Sequence, residues 1–243
     1  MQHLLRRKIV YILGGLFCLP LIGIAQLRDG INQPDHDEKK FHFGINVGFN
    51  GSHFSFTHHP LFRQQDSVMV VESLNSTGIN LAWLVNMNIN EHFDIRTFPL
   101  DLTFTEKAFQ YRLTYPDKPG GEDSNTIKKV SSISLTLPLQ IKFSSDRIGN
   151  FKVYMLAGGK IEYDLAANSG DLNAQNLIKL KKLDYGVQAG LGFHFYFPFF
   201  VLTPELKVDW GLSNLHSRDP NLKFSNVIDK IYSRMISFSL TVE

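Results

Sequence analysis

Apolar and polar residues alternate with a period of two in many separate stretches of this chain. Between residues 41 and 50, Phe, Ile and Val take the odd positions, and His, Gly and Asn take the even positions. Such alternation predicts a β-strand with one apolar and one polar face. A strand of about ten residues that rises ~3.3 Å per residue and tilts by about 40° spans the ~25 Å apolar band of an outer membrane.

The same alternation recurs along the rest of the chain and predicts eight strands. They cover residues 41–50, 79–89, 93–104, 132–143, 151–165, 183–195, 200–212 and 236–242. In the third strand the alternation slips by one position near Phe98 and Pro99, where we predict a β-bulge.

The connections between these strands alternate between long and short. In chain order they cover residues 51–77, 90–92, 106–129, 144–150, 166–181, 197–199 and 213–231. Outer-membrane barrels combine short periplasmic turns with long outer loops. The sequence therefore predicts an all-β fold: an eight-stranded antiparallel up-and-down transmembrane β-barrel of the outer-membrane type, over residues 41–243.

The polar face of the strands indicates which side meets lipid. A soluble lipocalin-like barrel would also alternate, but its polar face would lie in water and would be rich in Lys and Glu. Here the polar face consists mainly of Gly, Asn, Ser and Thr, which suit the narrow interior of an eight-stranded barrel. Aromatic residues gather near strand ends, as in the interfacial girdles of membrane barrels: Phe93, Phe195, Tyr196, Phe197, Phe199, Phe200 and Trp210. We therefore predict that the apolar face contacts lipid.

Charged residues on the polar face are predicted to form an ion network in the lumen. The network contains four cations and five carboxylates, which are Arg96, Lys142, Lys160, Lys207, Glu162, Asp164, Asp184, Glu205 and Asp209. Charges in a closed interior persist only when they are paired and hydrogen-bonded. The near balance of charge predicts a filled interior without an open pore.

The N-terminus has the features of a secretory signal peptide over residues 1–25. Arg6, Arg7 and Lys8 precede an apolar stretch, and small residues precede a predicted cleavage between Ala25 and Gln26. Cys18 offers lipoprotein processing as an alternative, but the bulky Phe17 stands before it. Cleavage at Gln26 leaves a periplasmic lead-in, residues 26–40, and a mature chain without cysteine.

Other features of the sequence give little indication of nucleic-acid or phosphate binding. The formal net charge of +2 does not favour nucleic-acid binding. Gly158, Gly159 and Lys160 resemble part of a phosphate-binding loop, but the first glycine and the Ser or Thr after the lysine are missing. We interpret these glycines as small residues that allow close packing in the barrel wall.

The predicted outer loops contain residues that could serve an enzyme or bind a ligand. His53, His58 and His59 lack Cys or carboxylate partners at metal-ligand spacing. Some eight-stranded barrels are enzymes that use Ser, His and Asp near the outer rim, and Ser52, His53 and Asp66 could form such a set. Lys179, Lys181 and Lys182 could contact lipopolysaccharide phosphates or a protein. We expect solvated loops, with no catalytic residues, no metal and no cofactor.

Several runs of residues are more specific than alternation alone requires. They are Asn150–Lys160 (NFKVYMLAGGK), Tyr163–Ala166 (YDLA), Thr203–Lys207 (TPELK), Ile228–Met235 (IDKIYSRM) and Phe41–Gly44 (FHFG), together with Arg96 and Pro99. Through these residues the chain resembles the PorT (also called SprT) family. The resemblance covers the whole mature chain, and matching residues are most frequent from residue 133 onward.

The resemblance implies a component of the type IX secretion system, the outer-membrane export route that also supports gliding motility in some bacteria. Members of this family are barrel proteins needed to export cargo with a C-terminal signal, and the family supplies no catalytic residue. The expected location is the outer membrane. The expected partners are its lipid, lipopolysaccharide and other secretion-system proteins, with no nucleic acid and no small-molecule substrate. The alternatives are a general structural or adhesion barrel and a lipid-modifying enzyme at the rim.

Overall fold

The structure is a computed structural model that describes residues 30–60, 62, 68–114, 116, 123–166, 180–217 and 223–243. The predicted signal peptide, its cleavage position between Ala25 and Gln26, and the first residues of the lead-in lie outside these ranges. The chain divides into two compact units, Met1–Asn32 and Gln33–Glu243, and the second contains every element below. In the described ranges, no helix is both long enough and apolar enough to cross a membrane.

The described residues form one antiparallel sheet with two short helical segments. The strands are β1 (Phe41–His58), β2 (Val68–Leu74), β3 (Ser76–Asn88), β4 (Phe93–Leu113), β5 (Asn125–Ser144), β6 (Phe151–Asp164), β7 (Leu183–Tyr196), β8 (Val201–Gly211) and β9 (Ile228–Val242). A 3-10 helix covers Pro34–His36, and helix α1 covers Lys223–Asn226.

The sheet closes into a ring of eight strands. The order is β4-β3-β1-β9-β8-β7-β6-β5, and the pairing of β5 with β4 completes the ring. Strand β2 pairs with the outer part of β4, with Leu74 opposite Ala108, while β3 pairs with the rest of β4. Strands β2 and β3 therefore lie one after the other along the same edge of β4 and count as one strand of the ring. The predicted eight-stranded barrel is confirmed.

The two faces of the sheet are arranged as predicted. Apolar side chains on the outer face are exposed, with Phe49 at 70% and Leu139 at 64% of full exposure. Asn, Ser, Thr and charged side chains line the inner face and are buried. A whole face of exposed apolar side chains is favourable against lipid and unfavourable in water, because water gains from the removal of apolar surface.

The predicted bulge in the third strand is confirmed. Trp83 of β3 lies opposite Leu100, whereas Val85 lies opposite Thr97, so β4 contains one extra residue at this point. Phe98 lies before the change of parity, on the inward face with Asp94 and Arg96, and its ring is almost fully buried. Pro99 and Leu100 are both exposed, so the inward face continues at Asp101.

The strands on the outer side of the barrel are longer than predicted, and the predicted outer loops are correspondingly too long. Strand β1 continues to His58, β4 continues to Leu113, and β5 and β9 begin at Asn125 and Ile228. In these outer segments the polarity of the faces is inverted. Most apolar side chains point inward and most polar ones point outward, as in a soluble barrel, although Lys107 is buried and Ile127 is exposed. We call this part of the barrel the outer extension.

Candidate functional site in the barrel interior

All nine residues of the predicted ion network lie on the inward face of their strands. Seven side chains are buried and two, Glu162 and Asp164, are partly buried. The buried ones are Arg96, Lys142, Lys160, Asp184, Glu205, Lys207 and Asp209. They do not form one connected network. The structure separates them into groups at different heights along the barrel axis.

The central group joins strands on opposite sides of the lumen. Arg96 of β4 donates a hydrogen bond from Nη1 to Oε2 of Glu205 on β8, at 2.6 Å. The hydroxyl of Tyr154 on β6 donates to the same carboxylate oxygen, also at 2.6 Å. The Arg96 guanidinium lies 4.7 Å from the centroid of the buried Phe98 ring on the same strand. A buried charge pair with good hydrogen-bond geometry holds its partners in one arrangement.

A second group lies nearer the outer end. Lys160 Nζ contacts Glu162 Oε2 at 2.7 Å, and Ser132 donates to Asp164 at 2.7 Å. Ser213 donates a hydrogen bond to Asp184. Three members of the predicted network remain, of which Lys142 pairs with Asp94 outside the network. Lys207 lies 5.2 Å from the Phe98 ring, and both carboxylate oxygens of Asp209 are buried without a hydrogen-bond partner among the described residues.

The interior contains charged and titratable residues that the sequence analysis missed. Asp94 pairs with Lys142 at 2.6 Å, and His194 contacts both Lys142 and Thr203. Asp101 and Lys107 are also buried, and Lys107 donates to Ser233 at 2.9 Å. Alternation could have found Asp94, which lies two positions before Arg96. Asp101 and Lys107 follow the bulge. Alternation places them in the lumen only when the slip by one position at the bulge is taken into account.

The lead-in closes the periplasmic end of the barrel. The Asp37 carboxylate accepts a hydrogen bond from Tyr196 at 2.8 Å and pairs with Arg147 and Lys152, each at 3.3 Å. Burial alone would raise the pKa of Asp37, but these three donors outweigh it and hold that pKa below its ordinary value. Burial, together with the neighbouring His42, lowers the pKa of His36 to about 4. His36 is therefore neutral near pH 7.

An apolar core closes the outer extension. It consists of Phe54, Val68, Val71, Phe109, Tyr111, Leu113, Val130, Leu180, Leu215, Phe224, Val227, Ile228 and Ile231. The rings of Phe54 and Phe109 stack at 5.2 Å, and the Tyr111 ring meets Phe224 of helix α1 edge-on at 4.8 Å. Apolar packing of this kind excludes water from the outer end of the lumen.

Cavities among the interior side chains are small. One beneath the apolar core, beside Lys107 and Glu162, and one at the periplasmic end, beside His42 and Lys142, each hold about 20 Å³. Such a volume accommodates about one water molecule. The small volumes support a filled barrel interior.

Among the described residues, the other candidates are not brought together into a site. Ser52 is buried on the inner face of β1 and the adjacent His53 is on its other face, while Asp66 lies outside the described residues. His58 packs against Phe56 and Phe62. Lys181 and Lys182 are exposed at the outer end, and Lys179 lies outside the described residues.

Gly158 and Gly159 belong to the barrel wall, as we interpreted them. The added Cβ of an alanine at Gly158 would overlap the backbone of Leu139 and Gln140 on the neighbouring strand. At Gly159 the nearest atom would be the Gly186 carbonyl oxygen, at 3.8 Å. Lys160 is engaged with Glu162 inside the lumen.

A closed ring of eight antiparallel strands with apolar side chains outside and polar ones inside defines a transmembrane β-barrel. The chain belongs to the family described as "Outer membrane protein beta-barrel domain", which matches residues 24–217. The protein is therefore an outer-membrane β-barrel protein, located in the outer membrane.

Several solved structures are similar to this chain. Neisserial surface protein A is 11% identical, with 84% of this chain and 99% of that chain covered and a TM-score of 0.43. OprG from Pseudomonas aeruginosa is 10% identical, with 82% and 95% covered and a TM-score of 0.42. Ail from Yersinia pestis is 11% identical, with 84% and 99% covered and a TM-score of 0.39. The search of curated proteins finds no match.

Proposed function

We propose that this protein is a non-enzymatic component of the type IX secretion machinery that acts through protein contacts. The observation that carries the proposal is the filled interior. The Arg96, Tyr154 and Glu205 group crosses the lumen, and the lead-in and the apolar core lie at its two ends. Cargo has no path through such a barrel, so a role in export has to use its surfaces.

The resemblance to the PorT family supports the secretion role. Several residues that carry this resemblance lie in the interior groups. Tyr154 and Lys160 belong to the run Asn150–Lys160, Glu205 belongs to the run Thr203–Lys207, and Arg96 is part of the same pattern. Some of the residues that carry the resemblance therefore also fill the lumen.

The outer extension offers a surface for protein partners. Its outward face is polar, with an exposed ion pair between Glu106 and Lys129 at 2.8 Å. Lys181 and Lys182 are exposed at the same end, where they can contact lipopolysaccharide phosphates or an acidic protein surface. The apolar outer face of the barrel contacts membrane lipid.

Deletion of the gene tests the secretion role. We expect that cargo with a C-terminal signal disappears from the medium and accumulates in the cells, and that plasmid-borne wild-type protein restores its export. Envelope integrity, measured as sensitivity to bile salts and vancomycin, stays at the wild-type level. A leaky envelope with normal export would instead favour a general structural barrel, and normal export with an intact envelope would contradict both roles.

Alanine replacement of the outer histidines tests the non-enzymatic part of the proposal. A protein in which His53, His58 and His59 are all replaced by Ala should restore export in the deletion strain as fully as the wild type. If it does not, although the variant reaches the outer membrane in normal amounts, a catalytic role at the rim has to be considered.

A further inference from the structure

Three metal-ligating side chains meet at the periplasmic end of the barrel. His36 comes from the 3-10 helix of the lead-in, His42 points inward from β1, and Glu243 follows the end of β9. One ligand atom from each residue lies within 4.8 Å of the other two. The imidazole rings of His36 and His42 have their centroids 4.3 Å apart. We call these residues the periplasmic triad.

The contacts among the described residues leave one polar atom of the triad unsatisfied. His42 Nδ1 and Glu243 Oε2 are 4.0 Å apart, which is too long for a hydrogen bond. His36 Nδ1 is buried and has no hydrogen-bond partner among the described residues. A buried polar atom without a partner is unfavourable, so the folded state gains if a ligand engages it.

We propose that the periplasmic triad binds one divalent transition-metal ion of the zinc class. Two imidazole nitrogens and one carboxylate oxygen suit Zn²⁺, which takes three protein ligands and a water in open tetrahedral sites. Zn²⁺ bonds of ~2.0–2.2 Å place neighbouring ligand atoms about 3.4 Å apart. The triad reaches this spacing by a small movement of the Glu243 side chain and of the lead-in.

Neighbouring charges are compatible with a bound cation. Lys142 is a neighbouring cationic side chain, but its ammonium group is paired with Asp94 at 2.6 Å. Asp37 is not needed as a ligand, because Tyr196, Arg147 and Lys152 already engage its carboxylate. His42 also makes a hydrogen bond with the Lys39 backbone, and such outer contacts orient a ligating imidazole.

The position of the triad indicates what the metal does. Strands β1 and β9 are the first and last of the barrel, and their pairing starts only at Ile45 and Val242. The first residues of β1 therefore have no partner on β9. A metal held by His42 on β1, Glu243 after β9 and His36 of the lead-in clamps this seam and fixes the lead-in against the barrel mouth.

Metal titration of the purified full chain, refolded in detergent micelles and treated with a chelator, tests the proposal. We expect isothermal titration calorimetry with Zn²⁺ to give one site per chain. The variant His36→Ala should bind at least about tenfold more weakly. It should still show the gel shift of a folded barrel, because His36 lies outside the strands. The matched control His92→Ala changes another periplasmic histidine, outside the triad, and should bind like the wild type.

Proteolysis gives a second readout of the clamp. Trypsin can cleave after Lys39 and Lys40, which are exposed in the lead-in. Zn²⁺ should slow this cleavage severalfold in the wild type and in His92→Ala, but not in His36→Ala. The proposal is overturned if Zn²⁺ does not bind, if His36→Ala binds it as tightly as the wild type, or if binding disappears only when His53, His58 and His59 are replaced.

Discussion

At the scale of single residues, the position of each side chain on the strand determines the effect of changing it. Adjacent residues face lipid and lumen in turn, so neighbouring substitutions meet opposite environments. Leu137 is exposed to lipid, whereas Thr136 beside it is buried in the lumen. Gly158 lies against a neighbouring strand, whereas Gly159 has free space outside. Each pair provides a substitution and its own control.

Charge on the lipid face is expected to destabilise the barrel. Leu137→Arg and Leu191→Arg should each lower the free energy of unfolding by roughly 2–4 kcal/mol, because a guanidinium would face hydrocarbon. Denaturant titration in lipid vesicles, followed by tryptophan fluorescence, measures this change. Thr136→Ser keeps a hydroxyl in the lumen and should be nearly neutral. Arg variants that insert and unfold like the wild type would reverse our assignment of the faces.

The paired glycines test close packing in the barrel wall. Gly158→Ala should lower the free energy of unfolding by about 1–3 kcal/mol, because its methyl group would overlap the backbone at Leu139. Gly159→Ala adds the same methyl group at ordinary van der Waals distance from the Gly186 carbonyl oxygen. It should leave the free energy of unfolding unchanged within about 0.5 kcal/mol. The same denaturant titration serves both variants, and equal effects would contradict the packing explanation.

At the scale of elements, side chains across the lumen connect strands that are not neighbours in the ring. Arg96 on β4, Tyr154 on β6 and Glu205 on β8 meet through one carboxylate oxygen. In the ring order, three strands separate β4 from β8 on one side and three on the other. This group therefore fixes the width of the barrel, in addition to the backbone hydrogen bonds between adjacent strands.

A double-mutant cycle tests this cross-lumen pair. Arg96→Met or Glu205→Leu alone should lower the free energy of unfolding by about 3–5 kcal/mol, because each leaves the other charge buried without its partner. The double variant should lose clearly less than the sum of the two, because no unpaired charge remains. Additive losses in the denaturant titration would show that the two residues do not act as a pair.

At the scale of the whole molecule, the direction of the apolar side chains reverses once along the barrel axis. Within the membrane they point outward, and in the outer extension residues such as Phe109 and Ile231 point inward. The reversal marks the point where lipid gives way to water around the barrel. The interior therefore changes from polar groups to an apolar core, and the lumen is filled on both sides of this boundary.

A filled lumen should not conduct ions. The purified protein, reconstituted into a planar lipid bilayer, is expected to show no stepwise conductance above that of the lipid alone. A porin inserted under the same conditions supplies the positive control. Regular ohmic steps that scale with the amount of protein would contradict the filled interior.

The sequence by itself determined the number of strands in the ring, the faces of the membrane-spanning segments and the bulge near Phe98, but not the additional strand β2. These follow from local alternation, because period two and the identity of the polar residues are both visible along the chain. Arg96 and Glu205 could likewise be placed in the lumen by parity alone.

Only the tertiary structure decided which interior charges meet and where the strands end. Arg96 pairs with Glu205, and Lys142 pairs with Asp94, because closure of the ring sets the height of each residue along the barrel axis. The outer extension escaped prediction because its alternation has the opposite polarity, so that Phe109 and Tyr111 interrupt the pattern of the membrane segments. The meeting of His36, His42 and Glu243 also depends on closure, because it joins the two ends of the barrel sequence.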